Sequence, residues 1–110
     1  MTIRKTVIFE KWLRKLRDRS ARGLILTRID RLEEGNPGDH RFLGDISELR
    51  IDHGPGYRVY YKDTGKEIII LLCGGDKSTQ QADVEKARKI ALLPLEEEHE
   101  EEKNGKNNCE

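Results

Sequence analysis

The sequence has few cysteines, few aromatic residues and no long apolar run. Its two cysteines, Cys73 and Cys109, have no metal-ligand spacing, and they do not form the dense pattern of a disulfide framework. The longest apolar run, Ile68–Cys73, is far too short to cross a bilayer. We therefore expect no signal peptide, no membrane segment and a reducing compartment, the cytoplasm.

Charge is abundant but unevenly distributed. The 110 residues form one small domain with a modest core, and 38% of them are charged. Residues 96–110 hold seven acidic and two basic side chains, whereas residues 1–95 hold 14 acidic and 19 basic ones. We expect a folded domain over 1–93 and an acidic, disordered tail over 94–110. A basic domain suits a polyanionic partner, although an ordinary solvated surface explains the charge alone better.

The first third of the chain predicts a strand and two helices. Residues 2–8 are typical of a short strand, and 9–16 carry apolar residues at helical spacing. Ser20 is a candidate N-cap for a second helix, which Gly and Pro at 35–38 end. These two helices are expected to form a hairpin that is basic outside.

The period changes to that of strands after Asp39. Residues 41–43 and 47–52 predict one continuing strand or two, and 57–62 predict the next. The apolar stretch 67–73 predicts a central strand that is buried on both faces.

A third helix is expected at the end of the domain. Gly74-Gly75 is predicted to break the central strand, and Ser78 with Gln81 matches a capping box that opens a helix ending before Pro94. The element order is then β-α-α-β-β-β-α. This order predicts an α+β fold with the helical hairpin against a mostly antiparallel four-stranded sheet.

The most informative stretch is the predicted β-hairpin over residues 48–61. Arg50 and Arg58 alternate with apolar residues, and they share one face with Glu48 and Tyr60. Registers that keep the faces aligned place Arg50 beside Arg58 or Tyr60. Two adjacent guanidiniums repel each other, so the arrangement favours an anion site, although each arginine alone is also explained by pairing with a nearby acid.

Other features fit the same site less specifically. The loop 74–77 leads into a helix N-terminus, where free N–H groups attract anions and Lys77 is unfavourable without one. Tyr60 is a candidate for stacking or hydrogen bonding. His53 lies in a turn with an ordinary pKa near neutrality, and a turn histidine is more often only exposed.

Three phrases together resemble the RelE/ParE toxin superfamily, and within it the HigB-like addiction module killer proteins. They are Glu-Leu-Arg-Ile at 48–51, Gly-Pro-Gly-Tyr-Arg-Val-Tyr at 54–60 and Leu-Leu-Cys-Gly-Gly-Asp-Lys-Ser-Thr-Gln at 71–80. The resemblance covers residues 1–93. It implies a microbial-ribonuclease-type fold and a toxin of a type II toxin–antitoxin system.

The resemblance also implies chemistry and partners. Such a toxin is an endoribonuclease that cuts messenger RNA in the ribosomal A site, without metal or cofactor. The 2′-OH attacks the adjacent phosphorus and leaves a 2′,3′-cyclic phosphate. The implied partners are the ribosome and a HigA-like helix-turn-helix antitoxin, and DNA is contacted only through the antitoxin complex.

Carried over by position, Arg50 and Arg58 would hold the phosphate, and Lys77 would be a second clamp or a proton-transfer group. Tyr60 would orient or stack the substrate. Either Glu48 or His53 would be the base, and the acid stays unassigned because the sequence lacks the clear terminal His or Tyr that follows the last strand in some RelE and HigB relatives. The RNA- or ribosome-binding candidates on the basic first helix are Lys11, Arg14, Lys15 and Arg17.

Two other functions remain open from the sequence. A ParE-like chain would poison DNA gyrase without being an enzyme, but such chains generally lack a basic active face, so the two arginines and Lys77 favour the nuclease. A catalytically inactive relative would act only as a binding partner.

Overall fold

The structure, a computed structural model, describes residues 1–94. The expected acidic tail therefore lies outside the described residues from 95 onwards. No helix within 1–94 is both long enough and apolar enough to cross a membrane. The elements are β1 (Thr2–Lys5), α1 (Val7–Lys15), α2 (Arg19–Glu33), β2 (His40–Phe42), β3 (Ser47–Ile51), β4 (Tyr57–Asp63), β5 (Ile68–Asp76), a 3-10 turn (Lys77–Thr79) and α3 (Gln80–Ala91).

The sheet has five strands in the order β1-β5-β4-β3-β2. The α+β class and the mostly antiparallel sheet are confirmed, because only β1 and β5 pair in parallel. The predicted four strands and β-α-α-β-β-β-α order are wrong. Residues 40–42 and 47–51 are separate antiparallel strands, and Gly44 between them adopts a φ of 99°, which glycine tolerates and which lets the chain reverse.

Helices cover both faces of this sheet. Helices α1 and α2 place Phe9, Ile25 and Ile29 on one face, and α3 places Ala87 and Ile90 on the other. Strand β5 contributes to both cores, because its alternating side chains point to both sides. The prediction of a central strand buried on both faces is confirmed.

The helices start at caps other than those predicted. Strand β1 ends before residue 8, because the Thr6 hydroxyl accepts a hydrogen bond from the Phe9 N–H at 3.0 Å and begins α1. Asp18, not Ser20, caps α2 by accepting from the Ala21 N–H at 3.1 Å. A carboxylate at the positive end of a helix is favoured by the helix dipole.

Gly74 and Gly75 lie within β5 and do not end it. A Cβ on Gly74 would overlap the Trp12 ring from α1, and one on Gly75 would overlap the Asp83 carboxylate from α3. Glycine is needed here because helices approach the strand backbone closely from both faces. The strand ends at Asp76, and this residue with Thr79 forms the capping box that was predicted two residues later.

Candidate functional site

The two arginines of the hairpin stand directly opposite each other. The register of β3 and β4 pairs Arg50 with Arg58 and Glu48 with Tyr60, which confirms one of the two predicted registers. Arg50 is partly exposed, and its Nη2 and Nε donate to Asp39 Oδ1 at 3.0 and 3.2 Å. The register thus brings two arginines to neighbouring positions at this end of the hairpin, and Asp39 offsets the charge of one of them.

Arg58 is more enclosed than Arg50. Its side chain is 12% exposed, and Nη1 donates to the Gly56 carbonyl at 3.0 Å. Its Nε is buried 3.5 Å from Glu48 Oε2, too far for a good hydrogen bond, and has no hydrogen-bond partner among residues 1–94.

Glu48 and Tyr60 are fully buried, with 0% exposure each, because α3 covers their part of the sheet. Glu48 Oε2 accepts from the Gln80 amide at 3.0 Å. Burial, and then the Glu48 charge, raise the pKa of the Tyr60 hydroxyl. The stacking role predicted for Tyr60 and the base role predicted for Glu48 do not fit this arrangement, because neither side chain is open to a substrate.

Lys77 begins the 3-10 turn after β5 and is exposed. A Cβ on Gly56, which has a φ of 83°, would contact both Arg58 Nη1 and Lys77 Cβ at 3.5 Å. The turn between β3 and β4 therefore lies against the start of the 3-10 turn. Of the predicted residues, Arg50, Arg58 and Lys77 come together at one corner of the sheet.

His53 lies apart from this corner group. Its Nε2 is 3.1 Å from Asp18 Oδ2, in the linker between α1 and α2. The Ala21 N–H, and to a smaller extent His53, lower the pKa of Asp18. His53 thus links the hairpin turn to the cap of α2, and among the described residues it has no hydrogen bond to either arginine.

The basic residues predicted for RNA or ribosome binding are all exposed, on α1 or just after it. Helix α1 packs on the sheet face opposite to the one that carries the arginine pair. The four predicted residues therefore form a second basic surface, separate from the arginine pair: Lys11, Arg14, Lys15 and Arg17.

Two residues of the site were missed from the sequence. Gln80 opens α3 and reaches Glu48, and Asp39 precedes β2 and binds Arg50. Asp39 could have been predicted, because it comes just before β2, and β2 pairs with the strand that carries Arg50. It was missed because β2 was not recognised as a separate strand. Gln80 had no signal beyond its place at a helix start. Residues 1–94 contain no group of three or more His, Cys, Asp or Glu that could hold a metal ion.

Comparisons with known proteins give a family and a fold. A family model described as "Phage derived protein Gp49-like (DUF891)" matches residues 11–92. An uncharacterized protein of Haemophilus influenzae is 50% identical over 90 residues, covering 81% of this chain and 91% of its own. A mutant of E. coli toxin RelE, in the free state, has a similar fold with a TM-score of 0.63 at 18% identity, over 84% of this chain and 97% of that one.

Proposed function

The chain belongs to the phage-derived Gp49-like family and has a RelE-like fold, and from this we propose that it is the toxin of a type II toxin–antitoxin system. We place it in the HigB-like branch, as a cytoplasmic, ribosome-dependent endoribonuclease that needs no metal. The observation that carries the proposal is the meeting of Arg50, Arg58 and Lys77 at one corner of the sheet.

The chemistry suits this corner group. When a 2′-OH attacks phosphorus, negative charge builds up on the phosphoryl oxygens. Arg50 and Arg58 would stabilise that charge, and arginine is suited to it because it is permanently charged and donates through a planar fork. Lys77, exposed beside Arg58, would be a second clamp or would move a proton to the 5′-oxygen that leaves.

The proposed partners use other surfaces. The basic residues of α1, on the opposite face of the sheet, would contact ribosomal RNA and not the cleaved phosphate. A HigA-like helix-turn-helix antitoxin would neutralise the toxin, and DNA would be contacted only through that complex.

The test is primer extension on messenger RNA from a cell-free bacterial translation reaction. We expect discrete cuts that require ribosomes and that disappear in an Arg50→Ala/Lys77→Ala variant. Both side chains are at least partly exposed, so their removal leaves no buried charge. Arg88→Ala is the matched control, because Arg88 is an exposed arginine that pairs with Asp45 on the same side of the sheet.

Two results would contradict the proposal. Intact message with the wild-type protein would exclude the nuclease, and a DNA supercoiling assay would then test the gyrase-poison alternative. Cuts of equal strength in the double variant would move the active site away from this corner.

A further inference from the structure

A fully buried carboxylate lies behind the Arg58 guanidinium. Glu48 is 0% exposed, and its Oε2 is 3.5 Å from Arg58 Nε, on the side of the guanidinium that faces the interior. Burying a carboxylate is costly unless a cation compensates it. Arg58 is the cation placed to do so.

The carboxylate is itself held from α3. The Gln80 amide donates to Glu48 Oε2 at 3.0 Å, so the first residue of α3 fixes the group that faces Arg58. Arg58 Nη1 donates a hydrogen bond to the Gly56 carbonyl at 3.0 Å. Arg58 is thus held by a hydrogen bond at Nη1 and by an ion pair at Nε, and within residues 1–94 its Nη2 has neither.

The geometry of the Arg58–Glu48 ion pair is not one that stabilises a fold well. A charge-assisted hydrogen bond is typically about 2.7–2.9 Å long, and the Arg58–Glu48 contact is longer. Glu48 Oε1 has no partner among the described residues. Buried ion pairs rarely stabilise a fold more than apolar side chains of the same volume would. A role in orientation accounts for the arrangement better than a role in stability.

We propose that Glu48 is a positioning residue, which orients the Arg58 guanidinium so that its free Nη2 faces the phosphate of the substrate. The inference rests on the proposed nuclease function. Glu48 touches no substrate, because it is buried, and it acts only through Arg58. Gln80 is the second member of this chain, since it holds the carboxylate in place.

Glu48→Gln tests the inference, because it removes the charge and keeps the shape. In single-turnover cleavage we expect the rate constant to fall by about 100-fold, the scale of a misplaced group, with the half-saturating ribosome concentration changed by less than about threefold. Gln80→Ala should lower the rate constant in the same direction by about 10-fold, because one of the contacts that hold Glu48 is lost. Asp45→Asn is the matched control, since it neutralises an exposed arginine-paired carboxylate elsewhere and should leave the rate unchanged.

A second measurement does not depend on activity. The Arg58 Nε–Hε signal in a ¹⁵N–¹H spectrum is assigned from its absence in Arg58→Lys, and its exchange with solvent is measured. Glu48→Gln should shift this signal and speed its exchange by at least about 10-fold, whereas Asp45→Asn should not. A loss of stability alone also speeds the exchange of a buried N–H, so the unfolding free energy of each variant is measured as well, and only an acceleration beyond that loss supports the positioning of Arg58.

The outcomes separate cleanly. A folded Glu48→Gln variant with the wild-type rate constant, or with an unchanged Arg58 signal, overturns the inference. If that variant does not fold, Gln80→Ala decides by the same two readouts. If the wild-type protein cuts no message, the proposed function is wrong, and the exchange rate alone then supports or overturns the positioning of Arg58.

Discussion

Replacing Arg58 by alanine removes the cation that faces the Glu48 carboxylate inside the protein. Removing one partner of a buried pair typically costs about 3–5 kcal/mol, because the other charge stays buried without compensation. We expect about 3 kcal/mol, the low end, since the pair is 3.5 Å apart and Glu48 keeps its bond from Gln80. Arg50→Ala should cost at most about 1 kcal/mol, because its pair with Asp39 is exposed.

Urea unfolding followed by the fluorescence of Trp12, the one tryptophan, measures both variants. With a slope of about 1 kcal/mol per molar urea, Arg58→Ala should lower the midpoint by about 3 M and Arg50→Ala by about 1 M or less. Such a loss brings a small domain near its folding limit. Lost toxicity in Arg58→Ala alone would then not separate a missing phosphate contact from a missing fold.

A double-mutant cycle isolates the pair. If Glu48 is the group left without compensation, Glu48→Gln should recover about 1–2 kcal/mol in the Arg58→Ala background. Additive effects within about 0.5 kcal/mol would refute the reasoning, because they would show that the two side chains do not interact. Equal midpoint losses for Arg58→Ala and Arg50→Ala would refute it as well.

Three further predictions concern packing, acid and thiol chemistry. Gly74→Ala should destabilise the fold by about 2 kcal/mol or more and shift Trp12 emission, because its Cβ would overlap that ring; an unchanged spectrum and urea midpoint would contradict this. The Ala21 N–H lowers the pKa of Asp18, so the stabilisation that Asp18 gives the fold is complete above its unfolded pKa of 3.8 and is lost as the pH falls through the folded pKa. The amount by which Asp18→Ala lowers the thermal midpoint should therefore shrink from pH 7 to pH 2, and an equal lowering at both pH values would contradict this prediction. Burial raises the pKa of the Cys73 thiol to about 12. In a Cys109→Ser background, a thiol reagent at pH 8 should therefore react with Cys73 only as fast as the protein unfolds, and rapid labelling of the folded protein would contradict this prediction.

The sequence predicted the hairpin well because its signal is local. Alternation along β3 and β4 places alternate residues on one face, and the apolar set aligned the two strands with Arg50 opposite Arg58. The neighbouring glycine turn allowed few other registers. The pairing of Arg50 with Arg58 followed directly from this local pattern, whereas Lys77 comes directly after β5 and was found from the loop that precedes the third helix.

The burial of Glu48 and Tyr60 was not predicted, because alternation shows which side chains share a face but not what covers it. Polar residues in a strand are normally assigned to solvent, and here α3 lies over them. The apolar run of β5 did indicate that both faces of the sheet are covered at that strand. The same cover reaches the neighbouring strand β4 and buries Tyr60 there. The full sheet was harder to predict, since the three exposed residues of β2 have no apolar period and parallel pairing of β1 leaves no local signal.

The pairing of β1 with β5 joins the first strand of the sheet to the strand that is last in sequence. Thr2 pairs with Ile68, and the Thr6 hydroxyl bonds the Leu72 carbonyl across 66 residues of sequence. During translation, β1 is made well before β5, so its backbone hydrogen-bonding groups have no partner strand at first. The apolar faces of α1 and α2 likewise have no complete sheet to pack on until β5 has been made. Contacts of such long range close late. A chain interrupted before residue 68 lacks the central strand, and one interrupted before Lys77 lacks one member of the corner group of cations, so that corner cannot be complete until residue 77 has been translated.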